Sequence, residues 1–410
     1  MKEKVVLAYS GGLDTSLAVK KLSEEGFEPI ALIVDLGQPP GEIDEAVEKA
    51  DKIGAAKTYR LDAKEEFTKN FIFPSLKANA KYEQAYPLST AIGRPLISKL
   101  MVRVAKQEGA DWVAHGCTAK GNDQVRFETS LKALAPELGI IATARKWKIS
   151  RTEGLAYALE CGIPLSIKKE NPYSIDENLW GRSIECGVLE NPAIKPPSDV
   201  YKWTKAVKDT PDEPKEISIY FEEGIPKSID GKEMHPVELI ATLNKLAGDY
   251  GIGRIDHLEN RLVGIKSREV YECPAAEVLI KAHKDLEELV LTRELLHFKP
   301  LVEQKFSELS YYGLWFDPLM QAINAFVDST QQWVTGTVIM ELYKGQAKVI
   351  GRESKNSLYA AEMATYEEGD LFDHSAASGF LKIWSLPLEI FARIHGNDEN
   401  KEEVVCQVLR

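Results

Sequence analysis

The chain opens with KVVLAYSGGLDTSLAVKKL, residues 4–22, in which an apolar run meets two glycines and then continues with helical spacing. Val5–Ala8 predicts a β-strand, and Thr15–Glu25 predicts a helix that stops at Gly26. Glycines at a strand-to-helix turn permit positive φ and let backbone N–H groups approach an anion. The stretch therefore predicts a βα unit with a phosphate-binding turn, SGGLDTS, at residues 10–16.

The alternation of strand and helix continues to about residue 165 and predicts an α/β fold with an open parallel sheet. The apolar run PIALIVD, Pro29–Asp35, is typical of a parallel strand buried on both faces. Helical spacing from Lys64 to Gly109 is expected to be interrupted around Tyr86–Leu88 and at Pro95. The remaining signals are a helix at Ile43–Ile53, a strand at Lys57–Leu61, a strand at Asp111–Gly116, a helix at Asn122–Leu134, a strand at Gly139–Ala144 and a helix at Glu153–Cys161.

The predicted phosphate turn contains no lysine, and the Walker pattern GxxxxGK[ST] occurs nowhere in the chain. Ser10, Thr15 and Ser16 offer hydroxyl donors, and a helix beginning near Asp14 directs its positive end at the same place. A carboxylate beside a polyphosphate is repulsive without a cation, so Asp14 predicts Mg²⁺ if it faces the ligand. The alternative is a plain strand–turn–helix junction in which Ser10 caps the helix and Asp14 complements its dipole.

A second motif, HGCTAKGNDQVRFE at residues 115–128, again ends a strand and opens a helix. Ligands of open parallel sheets bind beyond the carboxyl ends of the strands, which is where both motifs fall. Arg126 suits a carboxylate, Asp123 suits an ammonium, and Thr118 and Asn122 suit either, so the cluster could hold a zwitterionic amino acid. The alternative is a capped helix with an aspartate in its first turn.

The composition favours a cytosolic small-molecule enzyme. The formal net charge of −12 argues mildly against a nucleic-acid substrate, because phosphate backbones are held by clustered Lys and Arg. The five cysteines are scattered and odd in number, which indicates reduced thiols. We expect no signal peptide and no membrane span, because no long apolar run is present. A length of 410 residues predicts two or three domains.

The character of the sequence changes after about Lys168, where irregular Pro- and Gly-containing segments give way to short strands mixed with long helices such as Ala275–Phe298. Two polar strings stand out there, SIDENLWGRS at residues 174–183 and ENRLVGIKSREVYE at residues 259–272. Near the end, a helix rich in bulky apolar residues could pack on its own domain or on a partner subunit.

Taken in order, AYSGGLDTS, TAKGNDQVRFE, SIDENLWGRS and ENRLVGIKSREVYE closely resemble the argininosuccinate synthase family, within the PP-loop or N-type ATP pyrophosphatase superfamily. The resemblance runs over essentially the whole chain. It implies a PP-loop nucleotide-binding domain at 1–168, a larger α+β synthetase domain at 169–365, and a C-terminal helical arm at 366–410 used in tetramer assembly.

The resemblance also implies roles for individual residues. ATP would be held by Ala8, Tyr9, Ser10, Gly11, Gly12, Leu13, Asp14, Thr15, Ser16 and Gly116. Citrulline would be held by Tyr86, Asn122, Arg126, Ser174, Ser183, Glu259 and Tyr271. Aspartate would be held by Thr118, Asn122 and Asp123, with Arg94 a further candidate for a substrate carboxylate. Ala91 stands where some relatives carry Ser, so a hydroxyl contact to citrulline is not expected from that position.

The implied activity joins citrulline to aspartate with ATP, releasing AMP and diphosphate, and needs no protein nucleophile. The implied partners are these small molecules and three further copies of the chain in the cytoplasm, with no nucleic acid and no membrane. A tRNA-thiolating PP-loop enzyme is the main alternative; it would predict a basic surface and usually paired cysteines. A nucleotide sensor that only binds is the other, and an altered PP-loop would favour it.

Overall fold

The strand at the start of the chain lies at the centre of a parallel sheet. The computed structural model describes residues 2–39, 41–164, 172–367 and 370–396. The strands of this sheet are β1 Lys4–Ala8, β2 Glu28–Asp35, β3 Lys57–Asp62, β4 Trp112–His115 and β5 Gly139–Ala142. Their order is β3-β2-β1-β4-β5, and all are parallel. The chain adds β2 and β3 on one side of β1, and then β4 and β5 on the other side.

Both faces of this sheet are covered, because alternate side chains of β1 enter different apolar clusters. Val6 packs with Ile30 on one face, and Val5 and Leu7 pack with Ala31 on the other. Full burial of such a side chain contributes about 1.5–3 kcal/mol. The covering helices are α1 Leu13–Glu24, α2 Glu42–Ile53, α3 Lys64–Phe67, α4 Phe73–Lys77, α5 Ser89–Glu108, α6 Asp123–Leu134, α7 Thr143–Trp147 and α8 Arg151–Glu160.

Of the two interruptions predicted in the long helical region, one is confirmed and one is wrong. The break around Tyr86–Leu88 is confirmed, since Leu88 has a φ of 66° and α5 begins directly after it. The break at Pro95 is wrong, because α5 continues through that residue. A proline removes one helical hydrogen bond, to the carbonyl four residues earlier. Here Ile92 and Leu96 are fully buried on either side of it, and their packing maintains the helix.

The next part of the chain is mostly antiparallel. Its helices are α9 Pro236–Asp249, α10 Pro274–Val290, α11 Arg293–Tyr311 and α12 Pro318–Thr330. Its strands are β6 Ser174–Asn178, β7 Gly181–Glu185, β8 Lys215–Glu222, β9 Ile225–Ile229, β10 Lys232–Glu233, β11 Arg254–Asn260, β12 Lys266–Glu272, β13 Gly336–Tyr343 and β14 Gln346–Glu353. They form two sheets, β11-β12-β7-β6 and β10-β9-β8-β13-β14. The predicted change near Lys168 lies outside the described residues.

The single helix predicted over Ala275–Phe298 is wrong, because α10 and α11 are separate helices. Leu291 and Thr292 between them have extended backbone. Thr292 occupies the N-cap position of α11, for which threonine is a preferred residue.

The sheet β11-β12-β7-β6 is anchored on one face by a buried carboxylate. Glu272 accepts hydrogen bonds from the backbone N–H groups of residues 202–204 and from the guanidinium of Arg182. Side chains alternate along a strand, so Tyr271 and Ser183 face the other way. That second face forms one wall of the cavity described below.

Residues 1–357 form one compact unit, and Leu358 begins a second. The second unit contains α13 Ala361–Ala364, α14 His374–Trp384 and α15 Leu386–His395. Large apolar side chains on α14 and α15, among them Phe380, Trp384 and Phe391, are exposed. In the part of the chain that the structure describes, no helix is both long and apolar enough to cross a membrane.

Candidate active site

One cavity of about 470 Å³ opens between the carboxyl edge of the parallel sheet and the sheet β11-β12-β7-β6. Of the predicted ATP residues, those that line it are Ala8, Tyr9, Ser10, Gly12, Leu13, Asp14, Thr15 and Gly116. All the other predicted site residues line it as well, namely Tyr86, Arg94, Thr118, Asn122, Asp123, Arg126, Ser174, Ser183, Glu259 and Tyr271. Gly11 instead lines a neighbouring cavity beside α2, and Ser16 is fully buried. The structure thus brings predicted residues of all four motifs around a single space.

The turn after β1 has the geometry of an anion cradle. Gly11 has a φ of +77°, and a Cβ there would lie 3.0 Å from the Cβ of Ala46. Gly12 is the N-cap residue of α1 and has no side chain, so Ser10 does not cap this helix as the alternative interpretation required. Instead the Ser10 hydroxyl lies 3.3 Å from that of Thr15, across the mouth of the turn. Because Gly12, Asp14 and Thr15 line the cavity, the positive end of α1 faces it.

Gly116, which follows β4, packs directly against this turn. A Cβ at Gly116 would lie 3.2 Å from Cγ2 of Thr15. The carboxyl ends of β1 and β4 are adjacent, and this is the position where open α/β sheets bind their ligands. The close approach of the two turns therefore favours glycine at position 116.

A lysine from outside the turn supports it. Nζ of Lys49, on α2, donates a hydrogen bond of 2.8 Å to the carbonyl oxygen of Gly11. Lys49 is half-buried, and this burial lowers the pKa of its ammonium from the usual value. Positive charge thus reaches the turn from a neighbouring helix, a contact that sequence reasoning missed because the lysine belongs to no motif.

The second motif forms a compact ion cluster. Asp123 accepts from Nε of Arg94 at 2.9 Å and from Nη1 of Arg126 at 2.8 Å. Burial alone would raise the pKa of Asp123, but the two guanidiniums lower it to about 2. Arg94 also contacts the carboxylate of Asp176, whose pKa is raised by burial. Asp123 is therefore a carboxylate at neutral pH and a weak base, while much of Arg94 is already engaged by protein carboxylates.

The first turn of α6 contains Asp123, as the alternative interpretation predicts, but the side chain of Asn122, at the N-cap position, makes no capping hydrogen bond. Its Nδ2 donates to the hydroxyl of Tyr311 at 2.7 Å, and its Oδ1 accepts from the backbone N–H of Leu262 at 3.0 Å. Both partners belong to the antiparallel part of the chain. Asn122 thus joins the two halves of the cavity.

The wall opposite the phosphate turn is built from strand registers. Asp176 pairs with Ser183 across β6 and β7, and Ser183 pairs with Tyr271 across β7 and β12. The Tyr271 ring stacks on that of Tyr86 with centroids 4.1 Å apart. The Tyr271 hydroxyl donates to Oε2 of Glu259 at 2.6 Å. Four predicted residues from three separate sequence segments therefore lie side by side.

Position 91, where the sequence departs from some relatives, does not line the cavity. Ala91 is fully buried beneath it. The neighbouring Thr90 does line the cavity, and its hydroxyl lies 3.2 Å from that of Ser183.

Sequence reasoning missed Asp176 and three further charged residues in this wall, namely Glu185, Arg261 and Glu269. Arg261 contacts both carboxylates. Burial, with the Glu185 and Glu259 carboxylates, raises the pKa of Glu269 to about 8 against the opposing effect of Arg261. The period of two along a strand could have identified Glu185 beside Ser183 and Glu269 beside Tyr271, because each pair shares one face.

The described cysteines, Cys117, Cys161, Cys186 and Cys273, are free thiols. Cys117 lines the cavity, and burial raises the pKa of its thiol, so it remains a poor nucleophile. Cys406 lies outside the described residues. Within the described ranges, no group of three or more His, Cys, Asp or Glu side chains could by itself hold a metal ion.

Comparison with known proteins identifies the family. The model of the "Arginosuccinate synthase N-terminal HUP domain" matches residues 4–164, and that of the "Arginosuccinate synthase C-terminal domain" matches residues 173–391. An argininosuccinate synthase of Halalkalibacterium halodurans is 54% identical over 98% of each chain. One of Listeria monocytogenes is 55% identical over 96% of this chain and 97% of its own.

A solved 4-thiouridine synthetase–RNA complex with bound ATP is 16% identical over 39% of this chain and 41% of that one. Its TM-score of 0.28 is too low to carry an argument about fold or function. The two family models and the nearly full-length relatives together decide the assignment. The chain belongs to the argininosuccinate synthase family.

Proposed function

We propose that this chain condenses citrulline with aspartate at the expense of ATP, forming argininosuccinate, AMP and diphosphate. One observation carries the proposal: an anion-cradling turn and a wall of fixed carboxylates, guanidiniums and phenols open into the same cavity. A nucleotide and two zwitterionic amino acids require that combination. The nearly full-length relatives are argininosuccinate synthases, which speaks against the tRNA-thiolating alternative.

ATP would lie on the turn of residues 8–16 and against Gly116. Because Gly116 has no side chain, the two turns pack closely, and the N-terminus of α1 would present its backbone N–H groups to phosphate oxygens. Asp14, exposed in the first turn of α1, would hold Mg²⁺ together with the phosphates, which is how this ion usually binds. When bound, the ion would supply charge neutralisation of the diphosphate.

Citrulline would occupy the side of the cavity lined by Tyr86, Asn122, Arg126, Ser174, Ser183, Glu259 and Tyr271. Aspartate would lie nearer the start of α6, at Thr118, Asn122 and Asp123. Arg94 would act there mainly through Asp123, because its guanidinium is engaged by Asp123 and Asp176. Asn122 would face both amino acids.

The chemistry would proceed in two steps. The ureido oxygen of citrulline attacks the α-phosphorus of ATP, which forms citrullyl-AMP and expels diphosphate. The aspartate amine then attacks the ureido carbon, and AMP leaves with its bonding electrons. Neither step needs a protein nucleophile, so catalysis would come from alignment and from stabilisation of charge on the phosphates.

The proton released by the aspartate amine needs an acceptor other than Asp123. With a pKa of about 2, Asp123 suits the recognition of an ammonium group and is a weak proton acceptor. A phosphate oxygen of the departing AMP is the better candidate, since it gains basicity as the bond to carbon breaks.

Exchange of labelled diphosphate into ATP tests the first step. Exchange should depend on citrulline and proceed without aspartate, and argininosuccinate and AMP should appear only when aspartate is added. ATP cleavage that is indifferent to citrulline would refute the proposal.

The variant Asp14→Asn tests the metal site. It should lower the exchange rate at limiting Mg²⁺, with partial recovery at high Mg²⁺, and leave the thermal unfolding temperature unchanged. Asp44→Asn, on the exposed surface of α2, is the matched control. Equal Mg²⁺ dependence in both variants would remove Asp14 from the metal site.

We further infer a cytoplasmic homotetramer. The exposed apolar side chains of α14 and α15 support assembly, because such patches usually mark interfaces. Light scattering on the purified chain tests this, and a monomeric mass at micromolar concentration would contradict it.

A further inference from the structure

Tyr311, the last residue of α11, forms hydrogen bonds with three of the residues that we assign to citrulline, although it belongs to no sequence motif. It is fully buried behind the cavity wall. Its hydroxyl lies 2.7 Å from Nδ2 of Asn122 and 2.5 Å from Oε1 of Glu259. Its backbone carbonyl accepts from Nε of Arg126 at 2.9 Å.

The direction of these hydrogen bonds follows from the chemistry of the groups. An amide nitrogen can only donate, so Nδ2 of Asn122 donates to the Tyr311 oxygen. The single phenolic proton is therefore directed at Glu259. Burial and the Glu259 carboxylate both raise the pKa of Tyr311, which keeps the phenol protonated and the direction unchanged.

Glu259 is consequently held by two phenols, one on each oxygen. Tyr311 donates to Oε1, and Tyr271 donates to Oε2 at 2.6 Å. Asn122 is held in the same way, between Tyr311 and the N–H of Leu262. Each group keeps hydrogen-bonding capacity for a ligand, but in an orientation decided by its buried partners.

Arg126 completes the arrangement. Its guanidinium lies 4.7 Å from the centroid of the Tyr311 ring, within the range of a cation–π contact. The ring of Tyr82 stacks on that of Tyr311 with centroids 3.6 Å apart. The Tyr311 ring is therefore held in place independently of its hydroxyl.

We propose that Tyr311 is a positioning residue for the ureido amino acid, whose hydroxyl orients the Asn122 amide and the Glu259 carboxylate toward it. The proposal rests on the proposed function. It assigns to α11 a part in the affinity for citrulline, exerted through Asn122 and Glu259, and none in the affinity for ATP.

The test is Tyr311→Phe, which removes one oxygen and keeps the ring. The KM for citrulline in diphosphate exchange should rise about tenfold, the size expected for a lost hydrogen bond to a buried charged group. The KM for ATP should stay within about twofold. Tyr312→Phe is the matched control, because its ring packs against Tyr82 and Tyr311 in the same cluster.

A double-mutant cycle distinguishes the orientation of Glu259 by Tyr311 from a general structural role of Tyr311. In a Glu259→Gln background, Tyr311→Phe should cost much less, since the partner charge is already absent. Equal effects in both backgrounds, equal rises in both KM values, or loss of the fold in Tyr311→Phe would each overturn the proposal. Citrulline-independent exchange by the unsubstituted chain would refute the proposed function instead.

Discussion

The phosphate turn at residues 10–16 is contiguous in the sequence and acts through its backbone, whereas the charged wall of the cavity is assembled from side chains of α6, β6, β7, β11 and β12. The turn depends on conformations that glycine permits, as at Gly11. The wall depends on buried charges that satisfy one another, as Asp123 and Arg126 do. Substitutions in the turn should therefore act by changing its backbone conformation. Substitutions in the wall should act by leaving a charged or polar partner group unpaired.

The largest effect is expected in the charged wall. Asp123→Asn leaves Arg94 and Arg126 without their shared counter-charge, so argininosuccinate formation should fall at least a hundredfold. The free energy of unfolding should fall by about 2 kcal/mol, less than the roughly 3–5 kcal/mol typical of a fully buried pair, because the Asp123 side chain is 27% exposed. Urea unfolding and product assays measure both quantities. In the exposed pair of Asp44 and Arg60, Asp44→Asn should change stability by less than about 0.5 kcal/mol.

The next effect is expected in the turn. Gly11→Ala forces a Cβ into a position with a φ of +77° and 3.0 Å from the Cβ of Ala46. The KM for ATP should rise about tenfold while that for citrulline stays nearly constant, because the strain is local. Gly26→Ala is the matched control, since its φ of +95° is similarly strained but no atom lies within 4 Å. A parallel rise of the KM values for ATP and citrulline would show that the phosphate turn and the charged wall are not independent.

The pH dependence of stability sharpens the comparison. Because the pKa of Glu269 is raised from 4.5 to about 8, the folded state binds more protons than the unfolded state in that window. Stability therefore falls as pH rises through it, by up to about 1.4 kcal/mol per pH unit. Glu269→Gln should remove this slope in urea unfolding between pH 6 and 8. If the stability of the Glu269→Gln variant changes with pH in parallel with that of the unsubstituted protein, the pKa of Glu269 is not raised.

The smallest effect is expected for the support behind the turn. Lys49→Met removes the hydrogen bond to the Gly11 carbonyl and should raise the KM for ATP three- to fivefold, equivalent to about 1 kcal/mol. Lys52→Met, one turn further along α2 and exposed, should have no effect. Equal kinetics for the two variants would exclude a role for Lys49.

Much of the fold was predictable because its signals are local. The β1 run, the glycine turn and the start of α1 follow one another within residues 4–24. The errors occurred where packing outweighed propensity, as at Pro95 inside α5, and where two helices meet at Thr292. The assignments of individual residues to ATP, citrulline and aspartate stay predictions.

The sequence by itself determined the parallel sheet, the phosphate turn and the order of the motifs, since each depends on residues that are neighbours in the chain. Only the tertiary structure decided that Asp123 is a weak base, that Lys49 supports the turn and that Tyr311 orients Asn122 and Glu259. These properties come from the distance and burial of groups far apart in the chain. Since electrostatic energies depend on both quantities, they appear only once the chain has folded.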